Sequence, residues 1–221
     1  MCAAPFAGTF APVMRLIGKQ QSEKNPTWCN SCLTFITANH GGAEVIVTML
    51  LADIRGSTTL AEGSSPAAFH ELLDRFYATA TRVVFDHDGY VDKFVGDELV
   101  ALFFPLLSGE RHAARAVEAA RALLVATGHA DRDGPWVPVG AGVHTGSVWF
   151  GAIGEEAHVE LTAVGDAVNT TARLATMAGA GEVLVTVDAA TQAELDPELP
   201  RDTVEIRGKA SSTEVVRLTV R

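Results

Sequence analysis

The chain has 221 residues, of which 48% are hydrophobic and 20% are charged, and its formal net charge is -10 at pH 7. This length and composition predict one substantial hydrophobic core, in a domain of about 150–200 residues that carries an extension. Nucleic-acid-binding surfaces need an excess of basic residues, so the acidic charge argues against a nucleic-acid partner.

Membrane insertion and secretion are also disfavoured. No apolar run approaches the roughly 18 residues that a membrane-spanning helix requires. Residues 1–19 lack the basic start and the long apolar stretch of a secretory signal. We therefore expect a cytoplasmic protein with no membrane partner, whose three cysteines are reduced.

Residues 1–43 are predicted to be an N-terminal extension. They hold all three cysteines, show no long hydrophobic period and end in the turn signal "NHGGAE". Apolar periodicity sharpens from Glu44, so we predict a folded domain over residues 44–221.

Cys29 and Cys32 of the extension form a single C-x-x-C pair, which is half the ligand set of a structural zinc site. Two copies in a dimer would complete a four-cysteine site for zinc. A redox switch is a second interpretation, since this spacing lowers the thiol pKa. The third is two partly buried thiols with neither role. Either of the first two predicts a regulatory or dimer-bracing extension.

The domain begins with a buried strand. "EVIVTMLLADI", residues 44–54, is a continuous apolar run with β-branched residues, as expected of a strand covered on both faces. A helix follows, because Ser65 suits the N-cap, Pro66 suits the first helical position and an apolar stripe repeats at helical spacing behind them. Gly89 is predicted to end this helix.

The central part of the chain continues with two strands at residues 90–95 and 98–104, joined at a Gly-Asp turn. A second helix is predicted over residues 108–128. Residues 137–154 are interpreted as a strand, a glycine-rich turn and another strand. The order strand, helix, strand, strand, helix, strand predicts an α+β fold with the ferredoxin-like βαββαβ arrangement.

Additional helices and strands are expected at the C-terminal end. Residues 165–181 predict a helix, with Asp166 as its N-cap and Gly179 as its stop. A strand at "EVLVTV", a short helix near residues 188–194 and strands near residues 202–207 and 214–220 complete the chain.

Asp53 and Asp97 are the first candidate site residues. Asp53 ends the first predicted strand, and Asp97 lies at the turn of the central hairpin, whose second strand neighbours the first in a ferredoxin-like sheet. Two carboxylates held close together repel each other unless a cation lies between them, and oxygen ligands suit Mg²⁺ or Mn²⁺. The turn "RGST" that follows Asp53 opens a helix whose backbone N–H groups can face an anion. A helix cap is the alternative role for Asp53 alone.

Four segments resemble, in this order, the signature segments of the class III nucleotidyl cyclases, the adenylate and guanylate cyclase family. They are "LLADIRGSTTLAE", "VDKFVGDELVALF", "VGAGVHTGSVWFGAIG" and "LTAVGDAVNTTARL". The resemblance covers residues 44–221 and implies the catalytic-domain fold of that family, with two Mg²⁺ or Mn²⁺ ions in each active site.

The resemblance assigns metal-binding and base-reading positions. Asp53 and Asp97 match the metal aspartates, and the backbone carbonyl of Ile54 matches a further metal ligand. Lys93 and Thr162 match the positions that read the purine. A lysine there goes with adenine, whereas the hydroxyl of a threonine both donates and accepts and so discriminates less strictly. Taken alone, Lys93 is equally a solvated charge on an edge strand, and Thr162 an ordinary strand residue.

The remaining positions contact the sugar and the phosphates. Asn169 and Arg173, which share one helix face, match the residues that orient the ribose and stabilise the transition state. Without the resemblance, Asn169 and Arg173 would be interpreted as two exposed residues on one face of a surface helix. Arg207 matches a basic residue that holds the triphosphate, although lysine is more usual there and Lys209 is a substitute. The phosphate-facing turn comprises the residues that follow Arg55, namely Gly56, Ser57 and Thr58.

The resemblance implies an adenylate cyclase that makes 3′,5′-cyclic AMP and pyrophosphate from ATP. The family builds each active site from two domains, and this chain has one. The resemblance therefore implies a homodimer with two shared active sites. The alternatives are a cyclase of another base, GTP or a pyrimidine nucleotide, and a catalytically silent nucleotide-binding domain with a regulatory role.

Overall fold

The computed structural model describes residues 11–22, 29–39, 41–155, 158–206 and 212–220. Eight helices and eight strands lie within these ranges. The helices are α1 (Ala11–Leu16), α2 (Asn30–Ala38), α3 (Ser57–Glu62), α4 (Pro66–Asp86), α5 (Pro105–Ser108), α6 (His112–Ala126), α7 (Asp166–Met177) and α8 (Val187–Gln192). The strands are β1 (Gly42–Ile54), β2 (Tyr90–Val95), β3 (Glu98–Phe103), β4 (Val139–Glu155), β5 (His158–Val164), β6 (Glu182–Thr186), β7 (Arg201–Val204) and β8 (Thr213–Thr219).

The larger of two compact units, residues 46–148 and 165–221, is built on a mixed sheet. The strand order is β2-β3-β1-β4-β6-β8-β7, with β1 antiparallel to β3 and β4 parallel to β6. Helix α4 connects β1 to β2, and α6 connects β3 to β4. This order confirms the predicted βαββαβ arrangement, with further strands and helices after it.

Helices cover both faces of this sheet. On one face, Leu50 and Val183 pack with α4 and α6 in the main hydrophobic core. On the other face, Leu174 of α7 packs with Leu184 of β6 in a second cluster. A strand that is covered on both faces needs apolar residues at successive positions, which explains the uninterrupted apolar run of β1.

Helix α4 begins as the sequence predicts. The Ser65 hydroxyl accepts a hydrogen bond from the Ala68 backbone N–H at 3.2 Å, and Pro66 occupies the first helical position. The helix ends at Asp86, three residues before Gly89. These capping interactions are local in sequence, which is why the sequence alone locates them.

The glycine-rich turn predicted within residues 137–154 is wrong, because β4 is one continuous strand over Val139–Glu155. Its glycines allow close packing instead. A Cβ at Gly142 would lie 2.5 Å from the backbone nitrogen of Ala175 in α7. A turn and a close backbone approach both require the absence of a Cβ, so the two look alike in sequence.

The predicted N-cap of α7 is also wrong. The cap residue is Gly165, with a φ of 151°, and the helix contains no side-chain cap hydrogen bond. Asp166 is the first helical residue, so its backbone is not in the extended conformation that a capping side chain needs. Its carboxylate still lies in the first helical turn, where the helix dipole favours a negative charge.

The smaller unit contains residues 1–45 and 149–164. Within it, the end of β4 pairs antiparallel with β5, and the backbone N–H of Ala152 donates to the carbonyl of Gly41 at 2.9 Å. Helices α1 and α2 of the extension belong to this unit. The division of the chain between residues 43 and 44 stays a prediction.

No helix in the described part of the chain combines the length and the apolar character needed to span a bilayer.

A partly buried histidine in the larger unit, His129, makes the stability of the fold sensitive to pH. The Val139 backbone N–H donates to Nε2 of His129 at 3.0 Å, which requires a neutral imidazole. Burial lowers the pKa of His129, so the unfolded chain binds this proton at a higher pH than the folded chain. The free energy of unfolding is expected to fall as the pH drops below about 6.5. Protonation also leaves the Val139 backbone N–H without its acceptor, which destabilises the folded state by about 1–3 kcal/mol.

Urea unfolding of the His129→Gln variant tests this expectation. Glutamine keeps an acceptor near the Nε2 position but does not titrate, so its stability should decline less than that of the wild type between about pH 8 and pH 5. His70→Gln, on the exposed side of α4, is the matched control and should follow the wild type. Equal declines in all three proteins would contradict the assignment to His129.

Candidate active site

The structure brings the carboxylates of Asp53 and Asp97 together. Asp53 is the penultimate residue of β1 and pairs in register with Glu98, the first residue of β3. Asp97 immediately precedes Glu98 in the β2–β3 turn, and the Asp53 and Asp97 side chains are hydrogen-bonded to each other. Two strands that are distant in sequence therefore place two acids side by side at one end of the sheet.

The electrostatics of this pair favour a cation. Burial, the hydrogen bond with Asp97 and the charges of Asp97 and Glu98 raise the pKa of Asp53 to about 7, although Arg55 opposes the rise. Burial and the Asp97 charge likewise raise the pKa of Glu98. The site therefore holds more negative charge than one arginine balances, and a proton between the carboxylates relieves the repulsion.

The donor set fits a divalent cation. Carboxylate and carbonyl oxygens are the ligands of Mg²⁺ and Mn²⁺, and here Asp53, Asp97 and the carbonyl of Ile54 lie at adjacent strand ends. Within the described ranges, no group of three or more His, Cys, Asp or Glu side chains is suited to a metal ion. A site of two carboxylates matches Mg²⁺ bound through one or two carboxylates plus substrate phosphates.

Arg55 was predicted only as part of the "RGST" turn, with no role for its side chain, which forms an ion pair with Oδ2 of Asp53. Its Nε also donates to the Asp53 carbonyl at 3.3 Å. On its other side, Nη1 donates to the carbonyl of Thr176 at 2.8 Å and to that of Ala178 at 3.4 Å. One guanidinium thus joins the candidate metal site to the end of α7. The only sequence signal was an arginine two residues after the aspartate.

The turn that carries Asp97 is held by aromatic residues. The Tyr77 hydroxyl of α4 donates to the carbonyl of Gly96. The Tyr77 ring stacks on Phe94, with centroids 3.9 Å apart and an interplanar angle of 12°. Gly96 has a φ of 61°, in the left-handed region that favours glycine. The turn is therefore a tight one, and its position depends on α4.

Lys93 lies on the edge strand β2, next to an irregularity in the register between β2 and β3. Its Nζ lies 3.9 Å from Oδ2 of Asp92, and the two side chains are 28% and 1% exposed, respectively. Lys93 is therefore a partly buried cation beside a buried carboxylate. Asp92 was missed in the sequence, although an acid directly before the lysine of an otherwise apolar strand is a visible signal.

Asn169 and Arg173 lie on the exposed side of α7. The opposite side of the helix carries the buried residues Thr171 and Leu174, and the Thr171 hydroxyl contacts Sδ of Met49 in β1 at 3.9 Å. Among the residues that the structure describes, neither Asn169 nor Arg173 hydrogen-bonds or ion-pairs with the carboxylate pair. Within one chain, the structure does not join these two predicted halves of the site.

The other predicted substrate contacts are more scattered. Thr162 lies in the smaller unit on β5, where it pairs with Gly151 and is 6% exposed. Gly56, with a φ of 69°, precedes α3, and Ser57 and Thr58 form the first helical residues. Arg207 lies outside the described residues, as does Lys209. The binding roles of all these residues stay predictions.

The two cysteines of the C-x-x-C pair differ in environment. Cys29 is buried and Cys32 is partly exposed, and these two described residues are not joined in a disulfide. The described residues of a single chain assemble no zinc site around them. The zinc interpretation therefore depends on a second chain and stays a hypothesis.

Comparison with known proteins identifies a match along most of the chain. The family model of the adenylate and guanylate cyclase catalytic domain matches residues 43–217. An uncharacterised protein of Mycobacterium bovis is 33% identical over 181 residues, which cover 78% of this chain and 33% of that protein. Adenylate cyclase 1 of Rhizobium meliloti is 34% identical over 133 residues, which cover 58% of this chain and 20% of that enzyme.

Solved structures share the fold. The crystal structure of the guanylyl cyclase Cya2 matches with a TM-score of 0.72 and 25% identity, and the match covers 80% of this chain and 93% of that chain. The predicted α+β fold is therefore confirmed. The chain spans only a third or less of the length of the two relatives named above.

Proposed function

Since this chain belongs to the adenylate and guanylate cyclase catalytic domain family, we propose that it is an adenylate cyclase, which converts ATP to 3′,5′-cyclic AMP and pyrophosphate. The observation that carries the proposal is the hydrogen-bonded pair of Asp53 and Asp97 at adjacent strand ends. Such a pair supplies the carboxylate oxygens that bind the metal ions of a triphosphate substrate.

The cations would be held by Asp53, Asp97 and the Ile54 carbonyl. When bound, two Mg²⁺ or Mn²⁺ ions would lower the pKa of the ribose 3′ hydroxyl and neutralise charge on the leaving pyrophosphate. The positive charge of the ions would take the place of the proton that Asp53 holds more tightly in their absence. The hydrogen bond from Tyr77 to the Gly96 carbonyl keeps the turn, and with it Asp97, in place.

The reaction forms one bond and breaks one. The ribose 3′ oxygen bonds to the α-phosphorus, the bond from the α-phosphorus to the bridging oxygen breaks, and the hydroxyl proton passes to solvent. Arg173 offsets the charge that develops on the α-phosphoryl oxygens, and Asn169 orients the ribose. Backbone N–H groups of residues 56–58 and the basic Arg207 hold the phosphates.

Each active site would be shared by two chains. Among the described residues, Asn169 and Arg173 form no hydrogen bond or ion pair with the carboxylates of their own chain, which supports a twofold homodimer in which they serve the partner's metal ions. One chain supplies Asp53 and Asp97, and the other supplies Lys93 and Thr162 together with Asn169 and Arg173.

The choice of ATP follows from the base-reading positions. The Lys93 ammonium donates to adenine and the Thr162 hydroxyl accepts from its amino group. A guanylate cyclase is the second candidate, favoured by the similarity to the guanylyl cyclase Cya2. Cyclases for GTP have an acid at the position of Lys93, which argues against it.

A nucleotide panel tests the proposal. Purified protein is incubated with ATP, GTP, CTP or UTP and either Mg²⁺ or Mn²⁺, and cyclic products are resolved by mass spectrometry. Cyclic AMP is the expected product, and Lys93→Glu should lower the preference for ATP over GTP at least about tenfold, because a mispaired polar group is left in the pocket.

Arg132→Glu reverses a charge in an exposed loop and is the matched control, with the specificity of the wild type. Cyclic GMP as the main product would overturn the base assignment while keeping the reaction. No cyclic product with either metal, from a folded dimer, would favour a silent regulatory domain.

A further inference from the structure

Arg55 contacts two parts of the fold that act in catalysis. On one side, it forms an ion pair with the Asp53 carboxylate and donates to the Asp53 carbonyl. On the other side, it donates to the carbonyls of Thr176 and Ala178 at the C-terminal end of α7. The Arg55 side chain is 20% exposed, so these contacts are made in a largely enclosed position.

The chemistry at the end of α7 explains the second set of contacts. The last carbonyls of a helix have no partner within the helix, and they form the negative end of its dipole. The last turn of α7 contains no basic residue of its own. Arg55, which directly follows β1, supplies the missing cation from more than 100 residues away in sequence.

A guanidinium can make both sets of contacts at once. Its donors form a rigid planar fork, so one edge can bind a carboxylate while the other binds carbonyls. A lysine ammonium is a point charge on a flexible chain, and it would reach one side or the other. The geometry therefore uses the property that distinguishes arginine from lysine.

We propose that Arg55 is a positioning residue that holds α7 in register with the Asp53 carboxylate and so connects the two active sites of the dimer. This inference rests on the shared-site dimer proposed above. In that dimer, Asp53 serves one site, whereas Asn169 and Arg173 on α7 of the same chain serve the other. The Arg55 guanidinium then contacts the metal-binding aspartate of one active site and also α7, the helix that supplies Asn169 and Arg173 to the other active site.

Two purely local roles would explain part of the contacts. A counter-ion for Asp53 would need no contact with α7, and a helix cap would need no contact with Asp53. Arg55 makes both. The contact with Asp53 and the contact with α7 can therefore be tested separately.

The first experiment measures the contact with α7 and the contact with Asp53 by two methods that do not depend on enzyme activity. It uses the full-length variants Arg55→Met and Arg55→Lys. Amide hydrogen exchange at the C-terminal end of α7 should rise about tenfold in both variants, because neither makes the double contact. Mn²⁺ binding, followed by electron paramagnetic resonance at pH 8.5, should tighten about threefold in Arg55→Met, which removes a repelling cation. Arg55→Lys keeps the charge and should bind Mn²⁺ like the wild type.

Arg111→Met is the matched control. It breaks an exposed ion pair with Glu118 on α6, of 3.0 Å, that is distant in sequence from both sides of the proposed link. Both readouts should equal those of the wild type. Exchange at α7 that is unchanged in Arg55→Lys would overturn the proposal, because a simple charge would then suffice.

The second experiment uses heterodimers of an Asp97→Ala chain with an Arg173→Ala chain, which retain one intact site. The Asp97→Ala chain donates α7 to that site, and the Arg173→Ala chain donates the carboxylates. Arg55→Met in the first chain should lower kcat about tenfold and leave the half-saturating Mn²⁺ concentration unchanged. Arg55→Met in the second chain should lower the half-saturating Mn²⁺ concentration instead.

The outcomes distinguish this inference from the proposed function. An inactive parental heterodimer overturns the shared-site dimer, and with it the connection between sites. If the parental heterodimer is active but Arg55→Met has the same effect in either chain, only the positioning role is overturned. A general loss of stability would act equally in both chains, whichever half of the site each chain donates.

Discussion

The Asp97→Ala and Arg173→Ala variants are each expected to lose cyclase activity, by at least about 10²–10³-fold. Asp97 is hydrogen-bonded to Asp53 in the candidate metal site, so its removal leaves too few oxygen ligands for the cations. Arg173 lies on the exposed side of α7, where a partner chain can present its metal ions. The measurement is the rate of cyclic AMP formation from ATP with Mn²⁺.

Mixing the two inactive variants should restore activity. If the chains exchange freely, half of the dimers are heterodimers and each contains one intact site, so about a quarter of the wild-type activity is expected. The control mixture is Asp53→Ala with Asp97→Ala, which should stay inactive because both changes remove the same half of the site. Asp133→Ala, in an exposed loop, should keep full activity.

The result that would contradict the shared site is an inactive mixture in which both variants are folded and dimeric. Activity in the control mixture would contradict it equally, since no arrangement of those two chains restores a complete carboxylate pair.

The Gly142→Ala variant is expected to lose both stability and activity. The new Cβ would lie 2.5 Å from the backbone nitrogen of Ala175, 2.7 Å from Cβ of Leu174 and 2.7 Å from the carbonyl oxygen of Thr171. Two of these are backbone atoms of α7, so the helix itself must move away from β4. Overpacking of this kind costs about 1–3 kcal/mol, or roughly 2–12 °C in Tm for a chain of this size.

Activity should fall further than stability accounts for, because α7 carries Asn169 and Arg173. A displacement of about 1 Å in a positioning element can reduce a rate about 10²-fold. Thermal unfolding by circular dichroism and cyclic AMP formation, measured well below the Tm, check the two effects separately.

Gly41→Ala is the matched control for this prediction. The three atoms nearest to its Cβ would all belong to Ile36, at 3.7–3.8 Å, which is ordinary van der Waals contact. It should unfold at the wild-type temperature. A Gly142→Ala protein with wild-type Tm and wild-type activity would show that β4 and α7 tolerate a side chain between them.

The sequence by itself determined the features that depend on near neighbours. The cap of α4 at Ser65, the tight turn at Gly96 and the buried strand β1 follow from interactions within a few residues or from a simple apolar pattern. The order of helices and strands then implies that β1 and β3 are adjacent. That is sufficient to place Asp53 beside Asp97, because the strand register puts Asp53 opposite Glu98.

Only the tertiary structure decided the features that depend on distant partners. The glycines of β4 look like a turn until α7 is seen to pack against Gly142. Arg55 looks like an unremarkable turn residue until its guanidinium reaches the end of α7, and Asp92 gains meaning only from its burial beside Lys93. The physical reason is the same in each case. A local pattern records what a residue's own segment requires, whereas close packing and multiple hydrogen bonds depend on which segment the fold brings against it.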